Sequence, residues 1–513
     1  MISSLLINFL LFWGVGALLE KYRVSSKYWA PFLKTVAFIA LAWFVLTALS
    51  YLVTPLFFDH AESNIAAVAA VWLRGGSIYT ALDAPQRYSL LYGPWPYIVA
   101  ACFESLGSAT IFLGKLPGVL NALLVLIGIY IAARFREAHK RDSLLIVGVT
   151  ALALLGFYNY SYWNRPDSYL TVYVLWSVVV IEIFKKSSSS QLIVYGIIGV
   201  LMGLAMNCKV HGVFYFLPIA FYYLESSKSK LNILGLIIAA GLCLVAALGP
   251  FGLHNVSLLS YAEWLRMAAK HGLLLKEIVR NISFILSFLV LLYALGFTRN
   301  YWKTYIALCV SGLIIAVFAA KPGAGTHHFM PLVPVILFWA AATYGETDQL
   351  SKKRSSIIVS SFLIMLAIVA INHQKRIVAL LSQTPQRIRE FDDMKSIAEK
   401  NPGPLELGYT DMKQYESSFY KPWLIYHGRG LLVDGAALMD MAASDIAIPS
   451  STVAIVKACS IPTMIFPKGK EPWSIPNLYD EKKFLISDEM RAAFAANYSL
   501  KEETEFFQVW KCK

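Results

Sequence analysis

The chain has 513 residues, 57% hydrophobic and 15% charged, with a mean hydropathy of +0.57. Length alone would allow several soluble domains, but this composition excludes a soluble protein and puts most of the chain in lipid. The net charge of +13 does not call for nucleic acid, because basic residues gather in short loops: Lys21, Arg23 and Lys27; Arg134, Arg136, Lys140 and Arg141; Lys185 and Lys186; Lys228 and Lys230; Arg299 and Lys303; Lys352, Lys353 and Arg354. By the positive-inside rule these loops face the cytoplasm.

In chain order, apolar stretches near residues 3–19, 34–57, 110–134, 143–162, 168–184, 191–207, 212–224, 231–254, 281–297, 304–320, 329–344 and 356–372 predict about twelve spanning helices. The first has no basic residue before it and no small-residue cleavage site after it, which reads as an uncleaved helix, with a surface helix as the alternative. Threading the spans through the basic loops puts segments 58–109, 163–167, 208–211, 255–280 and 321–328, and the whole tail, on the outer face.

The outer loop 58–109 carries an alanine-rich run from Ala61 to Leu73, stopped by Gly75 and Gly76 and predicted to lie as a helix at the membrane interface. A second interfacial piece is predicted from Tyr92 to Leu106. After Arg376 the texture becomes mixed and polar, with β-branched or apolar runs at Val453 to Val456 and Met464 to Phe466 read as strands. The expected fold is thus a polytopic α-helical membrane protein with a C-terminal soluble α/β domain. Residues 1–372 form the transmembrane catalytic module, which includes loop 58–109, and residues 373–513 form the extracytoplasmic domain.

The six cysteines show no CxxC or other metal-ligand spacing. Cys459 and Cys512 share the tail and are candidates for a disulfide if it lies outside the cytoplasm.

Ionisable residues collect at the outer ends of the spans: Asp59, His60 and Glu62; Arg165 and Asp167; Lys209 and His211; Lys321, His327 and His328. Charges there are costly to desolvate, so a set drawn from four hairpins marks a functional site; snorkelling into headgroups is the plain alternative for each alone. Asp59, Glu62 and Asp167 are the candidate catalytic carboxylates, a general base taking a proton from an acceptor hydroxyl. Asp59 also suits a helix N-cap. Arg165, Lys209 and Lys321 supply fixed positive charge for a phosphate leaving group. His60, Tyr92, His211, His327 and His328 are candidate substrate contacts. Adjacent His327 and His328 make a poor chelate, Lys321-Pro-Gly-Ala-Gly lacks the Gly-Lys-Ser/Thr of a nucleotide loop, and these residues call for no cofactor and indicate no divalent metal.

At these residues the sequence resembles the GT-C superfamily of integral-membrane glycosyltransferases, in the bacterial branch of the lipid A aminoarabinose transferase and protein O-mannosyltransferases. The likeness runs from residue 34 to about 345, carried by Asp59-His60-Ala61-Glu62, Gly75-Gly76-Ser77-Ile78-Tyr79, Tyr92-Gly93-Pro94-Trp95-Pro96, Arg165-Pro166-Asp167-Ser168, Cys208-Lys209-Val210-His211-Gly212 and Lys321-Pro322-Gly323-Ala324-Gly325. The resemblance implies that Asp59 is the catalytic carboxylate and that Asp167 and Lys209 lie near the donor phosphate. The family often has adjacent Asp-Glu where this chain has Asp59-His60 and then Glu62, so Asp59 and Glu62 both stand as the base.

It further implies an inverting, metal-optional transfer of a monosaccharide from a polyprenyl-phosphate donor to a lipid, glycan or protein acceptor, in the cell (inner) membrane with the active site and tail facing the periplasm. Two other readings compete. A flippase or transporter of a lipid-linked sugar would need charges within the spans and a path to both faces, whereas this cluster lies on one face. A lipid-linked-glycan polymerase or ligase would use basic outer loops without carboxylates directly after the second span.

Overall fold

A computed structural model describes residues 26–513 apart from 158–159, 186–190, 228–231, 347–348, 411–414 and 478–479. The predicted span 3–19 lies outside these residues. In chain order the first helices are α1 (Ser26–Val53), α2 (His60–Leu73), α3 (Trp95–Glu104), α4 (Ile111–Phe135), α5 (Lys140–Leu155), α6 (Pro166–Phe184) and α7 (Gln191–Cys208). They are followed by α8 (Leu217–Ser226), α9 (Ile233–Leu248), α10 (Leu258–Ala268), α11 (Leu275–Ala294), α12 (Trp302–Phe318), α13 (Val333–Glu346), α14 (Gln349–Ser382) and α15 (Thr384–Lys400). The tail adds β1 (Leu405–Leu407), α16 (Ser417–Tyr426), α17 (Gly435–Ala442), α18 (Ser450–Lys457), β2 (Thr463–Pro467), β3 (Pro476–Asn477), β4 (Asp480–Phe484), α19 (Asp488–Asn497), β5 (Tyr498–Glu503) and β6 (Phe507–Cys512).

Among the described residues, seven helices are long and apolar enough to cross a membrane: Pro31–Val53 of α1, α4, α6, α7, Ile233–Gly252, α11 and Ile357–Ser382 of α14. Trp302–Phe318 and Val333–Gly345 are shorter apolar helices. The chain is a multi-pass membrane protein.

Two compact units emerge. Of the described residues, the first takes in those up to Tyr51, Gly118–Gly249 and Leu273–Val378. Its packing exploits small residues: a Cβ on Gly199 of α7 would fall 2.4 Å from Ala239 O of α9, and one on Gly203 would fall 2.3 Å from Cys243 O. Only glycine lets these backbones meet, as is common where lipid offers no hydrophobic drive between helices. Asn207 Nδ2 then donates to Ala247 O at 2.8 Å, tying the ends of the two helices. At the far end of α6, buried Glu182 accepts from Arg136 Nε at 3.1 Å and from Lys185 Nζ at 2.5 Å, so its charge is compensated.

The second unit comprises Leu52–Pro117, Pro250–Gly272 and Ala379–Lys513. Loop 58–109, expected to go with the membrane module, folds into one core with the tail. Phe57 and Ala66 pack with Met394, Leu407, Ile465 and Val509, and Ala61 shares a cluster with Trp264, Met267 and Ala437. The run 61–73, expected as a helix at the membrane interface, is a helix enclosed by protein. Residues Ala61 to Ala70 of α2 are all buried, and its alanines let neighbours close on it from every side.

The tail sheet has strand order β1-β2-β6-β5. β1 runs parallel to β2 with Leu405 opposite Thr463, and β6 runs antiparallel to β2 with Val509 opposite Ile465. The run 453–456, expected as a strand, is helical within α18. Thr452, Val453 and Val456 are its buried residues, a spacing that suits a helix face rather than alternation. Cys459 and Cys512 form a disulfide across 53 residues of sequence.

Candidate active site

In the first unit the cluster is assembled on three helix ends. Pro166 opens α6 and Asp167 follows it in the first turn, where free backbone N–H groups favour an anion. The segment just before α6 is pinned: a Cβ on Gly118 of α4 would fall 2.4 Å from Asn164 N, so the bare glycine allows α4 to lie against that backbone. Ser168 Oγ donates to Arg165 O at 2.8 Å, and Tyr169 OH donates to Asn164 Oδ1 at 2.7 Å.

Lys209 follows α7 in extended conformation, and its Nζ donates to Asp167 Oδ1 at 2.7 Å. Burial pulls the Lys209 ammonium below its ordinary value while the Asp167 carboxylate opposes the fall. Arg165 Nε lies 3.9 Å from Asp167 Oδ2, and the guanidinium sits 4.3 Å from the centroid of the Tyr160 ring. Tyr160 also meets the His327 ring edge-on at 5.0 Å. His327 acts electrostatically on Asp167, as Lys321 does on His211. One buried carboxylate thus faces two fixed cations, with a third within electrostatic range of the cluster, and the surplus is positive.

Beside it, His328 Nδ1 and His211 Nε2 share a hydrogen bond of 3.2 Å, with His211 stacked on Phe318. Burial pushes His211 down to about 3, with Lys209 adding to the fall, and pushes His328 well below the usual imidazole range. Both rings are neutral at physiological pH, so the pair offers hydrogen bonds without adding charge.

The second unit holds the other candidates. Asp59 is the N-cap of α2: its Oδ2 accepts from Ala61 N and Glu62 N, both at 3.1 Å, while Oδ1 lies 3.8 Å from His60 Nδ1. Its capping role is therefore real, and is carried by one of the two oxygens. The His60 side chain is 40% exposed and its ring meets that of Tyr415 at 6.1 Å. Glu62, by contrast, is fully buried and within electrostatic reach of Lys115 and Tyr426. Tyr92 is half-buried and packs against the clusters around α2, its carbonyl accepting from Tyr79 OH at 2.6 Å.

Sequence reasoning passed over three residues. Tyr160 sits in an aromatic run at the membrane edge that reads as a plain belt. Arg280 stands near the Lys321 loop, where a Cβ on Gly325 would fall 3.2 Å from its Nη2; it reads as a basic residue at the start of a span. Lys115 is a single lysine near the start of the apolar segment Ile111–Phe135, where a lysine reads as one that snorkels to the membrane edge.

Residues 83–251 match the family described as dolichyl-phosphate-mannose-protein mannosyltransferase. The fold is similar to ArnT from Cupriavidus metallidurans in the apo state, with a TM-score of 0.58 at 12% identity over 92% of this chain and 97% of that one. The same protein bound to undecaprenyl phosphate aligns with a TM-score of 0.58 at 14% identity, covering 95% of this chain and 98% of that one. Among the curated proteins, no sequence matches the chain.

Proposed function

We propose that this chain is a glycosyltransferase of the GT-C superfamily, in the branch of ArnT and the protein mannosyltransferases, and that it transfers a monosaccharide from a polyprenyl-phosphate donor to a lipid, glycan or protein acceptor. The observation that carries this reading is the buried Asp167–Lys209 pair with Arg165 beside it. In the transfer the acceptor oxygen bonds to the anomeric carbon, the bond from that carbon to the phosphate oxygen breaks, and the polyprenyl phosphate departs with one more negative charge than it carried as a diester. Fixed cations stabilise a charge that appears only along that path, so they favour the transition state over the bound donor. Arg165 and Lys209 hold the phosphate, with Lys321 as a further cation, and Asp167 keeps the Lys209 ammonium oriented and charged. The neutral His211–His328 pair and His327 contact the donor through hydrogen bonds, and the cations leave the chemistry without need of a cofactor.

The general base is Asp59, which takes the acceptor's proton; attack opposite the phosphate inverts the anomeric configuration. Asp59 is favoured over Glu62 because Glu62 is fully buried beside Lys115. His60 and Tyr92 are contacts for the acceptor. The disulfide between Cys459 and Cys512 supports a tail in an oxidising compartment, and with the basic loops it favours an inner-membrane protein whose tail faces the periplasm.

The test is sugar transfer by purified protein in detergent, using a panel of radiolabelled polyprenyl-phosphate sugars with a membrane extract as acceptor, for wild type and Asp59→Asn. Transfer from one donor, abolished in the variant, is expected. A folded wild type that transfers from no donor would sink the proposal, and growth of long glycan products would turn it to a polymerase.

A further inference from the structure

We infer that Lys115 is a positioning residue for Asp59, a buried ammonium that grips the stretch of chain leading to that carboxylate. The inference rests on Asp59 as the base.

Lys115 lies in the first turns of α4, near the end of a spanning helix, where a lysine ordinarily runs its stem along apolar surface and puts its ammonium in water. This one has no exposed surface at all. Its Nζ donates to Thr54 O at 2.7 Å and sits 5.7 Å and 5.5 Å from the ring centroids of Phe57 and Phe58. These residues form the short non-helical stretch that delivers the chain to Asp59. On the other side of Asp59, Glu62 is fully buried and is the carboxylate that acts on Lys115 electrostatically. One ammonium therefore binds the carbonyl five residues before Asp59 and lies against the two rings just before it, with the Glu62 carboxylate within electrostatic reach.

An extended stretch of this kind has no intrahelical hydrogen bonds to fix it. Asp59 itself caps α2 through Oδ2, and the direction of its carboxylate follows the backbone that carries it. Burying a lysine is costly unless its charge is paired and its donors are used. A hydrophobic residue at this position would pack beside Phe57 and Phe58 but would not hold Thr54 O.

The test uses the full-length protein. Lys115→Met alone removes a cation that acts on the buried Glu62 carboxylate and is expected to misfold, so the informative variant is Lys115→Met with Glu62→Gln, which removes both charges. Folding is read from formation of the Cys459–Cys512 disulfide and from the thermal midpoint. The expected result is a folded protein whose kcat falls by about a hundredfold with the donor KM unchanged, the size of loss that an ångström-scale misplacement produces. A folded double variant that keeps its kcat overturns the inference. Should that variant not fold, Lys115→Arg keeps the charge opposite Glu62 while its longer planar head cannot occupy the same point. It is expected to fold with lowered kcat at the same KM, and full activity would equally overturn the inference. Wild type that transfers no sugar refutes the underlying reading instead, so the two failures are distinct.

Discussion

Lys209 Nζ stands 2.7 Å from Asp167 Oδ1, with 7% of the lysine side chain exposed and none of the aspartate's. The two residues are 42 apart in sequence and join the start of α6 to the end of α7. Such a pair is costly to break from one side, because the remaining charge stays buried without a partner.

Asp167→Asn should therefore destabilise the membrane unit by about 3–5 kcal/mol. Replacing both partners, with Asp167→Asn and Lys209→Met, should recover much of that stability while donor binding stays lost. Thermal unfolding in detergent with and without a polyprenyl phosphate measures both effects. A double variant that binds the lipid as wild type does would show that the pair is purely structural.

Asp59 allows its two roles to be separated. Asparagine caps helices as well as aspartate does, so Asp59→Asn should keep α2 intact while transfer falls by roughly a hundredfold to ten-thousandfold. Asp59→Ala should lose transfer and also about 1 kcal/mol of stability from the missing cap. Equal turnover in Asp59→Asn and wild type would remove Asp59 from the chemistry.

The neutral histidine pair predicts an acid-sensitive membrane unit. The unfolded chain takes up protons on His211 and His328 below the ordinary value of 6.5, whereas folded His211 resists protonation down to about 3. Stability should be level above about pH 6.5 and should fall below it, by about 1.4 kcal/mol per pH unit for each histidine. The midpoint of unfolding at pH 7.5 and pH 5 checks this, and a His211→Asn variant should lose less on acidification than wild type.

Gly118 should tolerate no side chain. A valine there would drive into the backbone of Trp163 and Asn164, which stand 2.4 Å from the Cβ position. The expected cost is about 1–3 kcal/mol from overpacking, with donor affinity falling because Arg165 follows directly in the chain. Unchanged affinity for a polyprenyl phosphate in Gly118→Val would count against the role given to Arg165.

Much of the membrane unit's candidate site was legible because lipid restricts the possibilities. Residues such as Asp167 and Lys209 lie at the ends of successive apolar helices, and the need to cross hydrocarbon puts such ends at one level. Loop 58–109 was harder. Alanine-rich sequence from Ala61 to Leu73 suits an interfacial helix and a helix enclosed by protein, and only the tertiary partners Met394, Trp264 and Ala437 decide between them. Val453 to Val456 misled because β-branched residues favour strands, yet burial of Thr452, Val453 and Val456 outweighed a weak local preference. Lys115 was passed over because a single lysine near a span's end is usually a snorkelling one, and sequence carries no sign of its burial.

The glycine seam between α7 and α9 also acts as a ruler. From Gly199 to Lys209 the chain advances ten residues, about 15 Å of helical rise, with no flexible joint before the last residue. The depth of the Lys209 ammonium in the bilayer is therefore set by where two backbones interlock at Gly199 and Gly203, well away from the ammonium itself. Adding one residue between Gly203 and Lys209 would turn the lysine by about 100° around the helix axis, leaving every side chain of the site present and its cation aimed elsewhere.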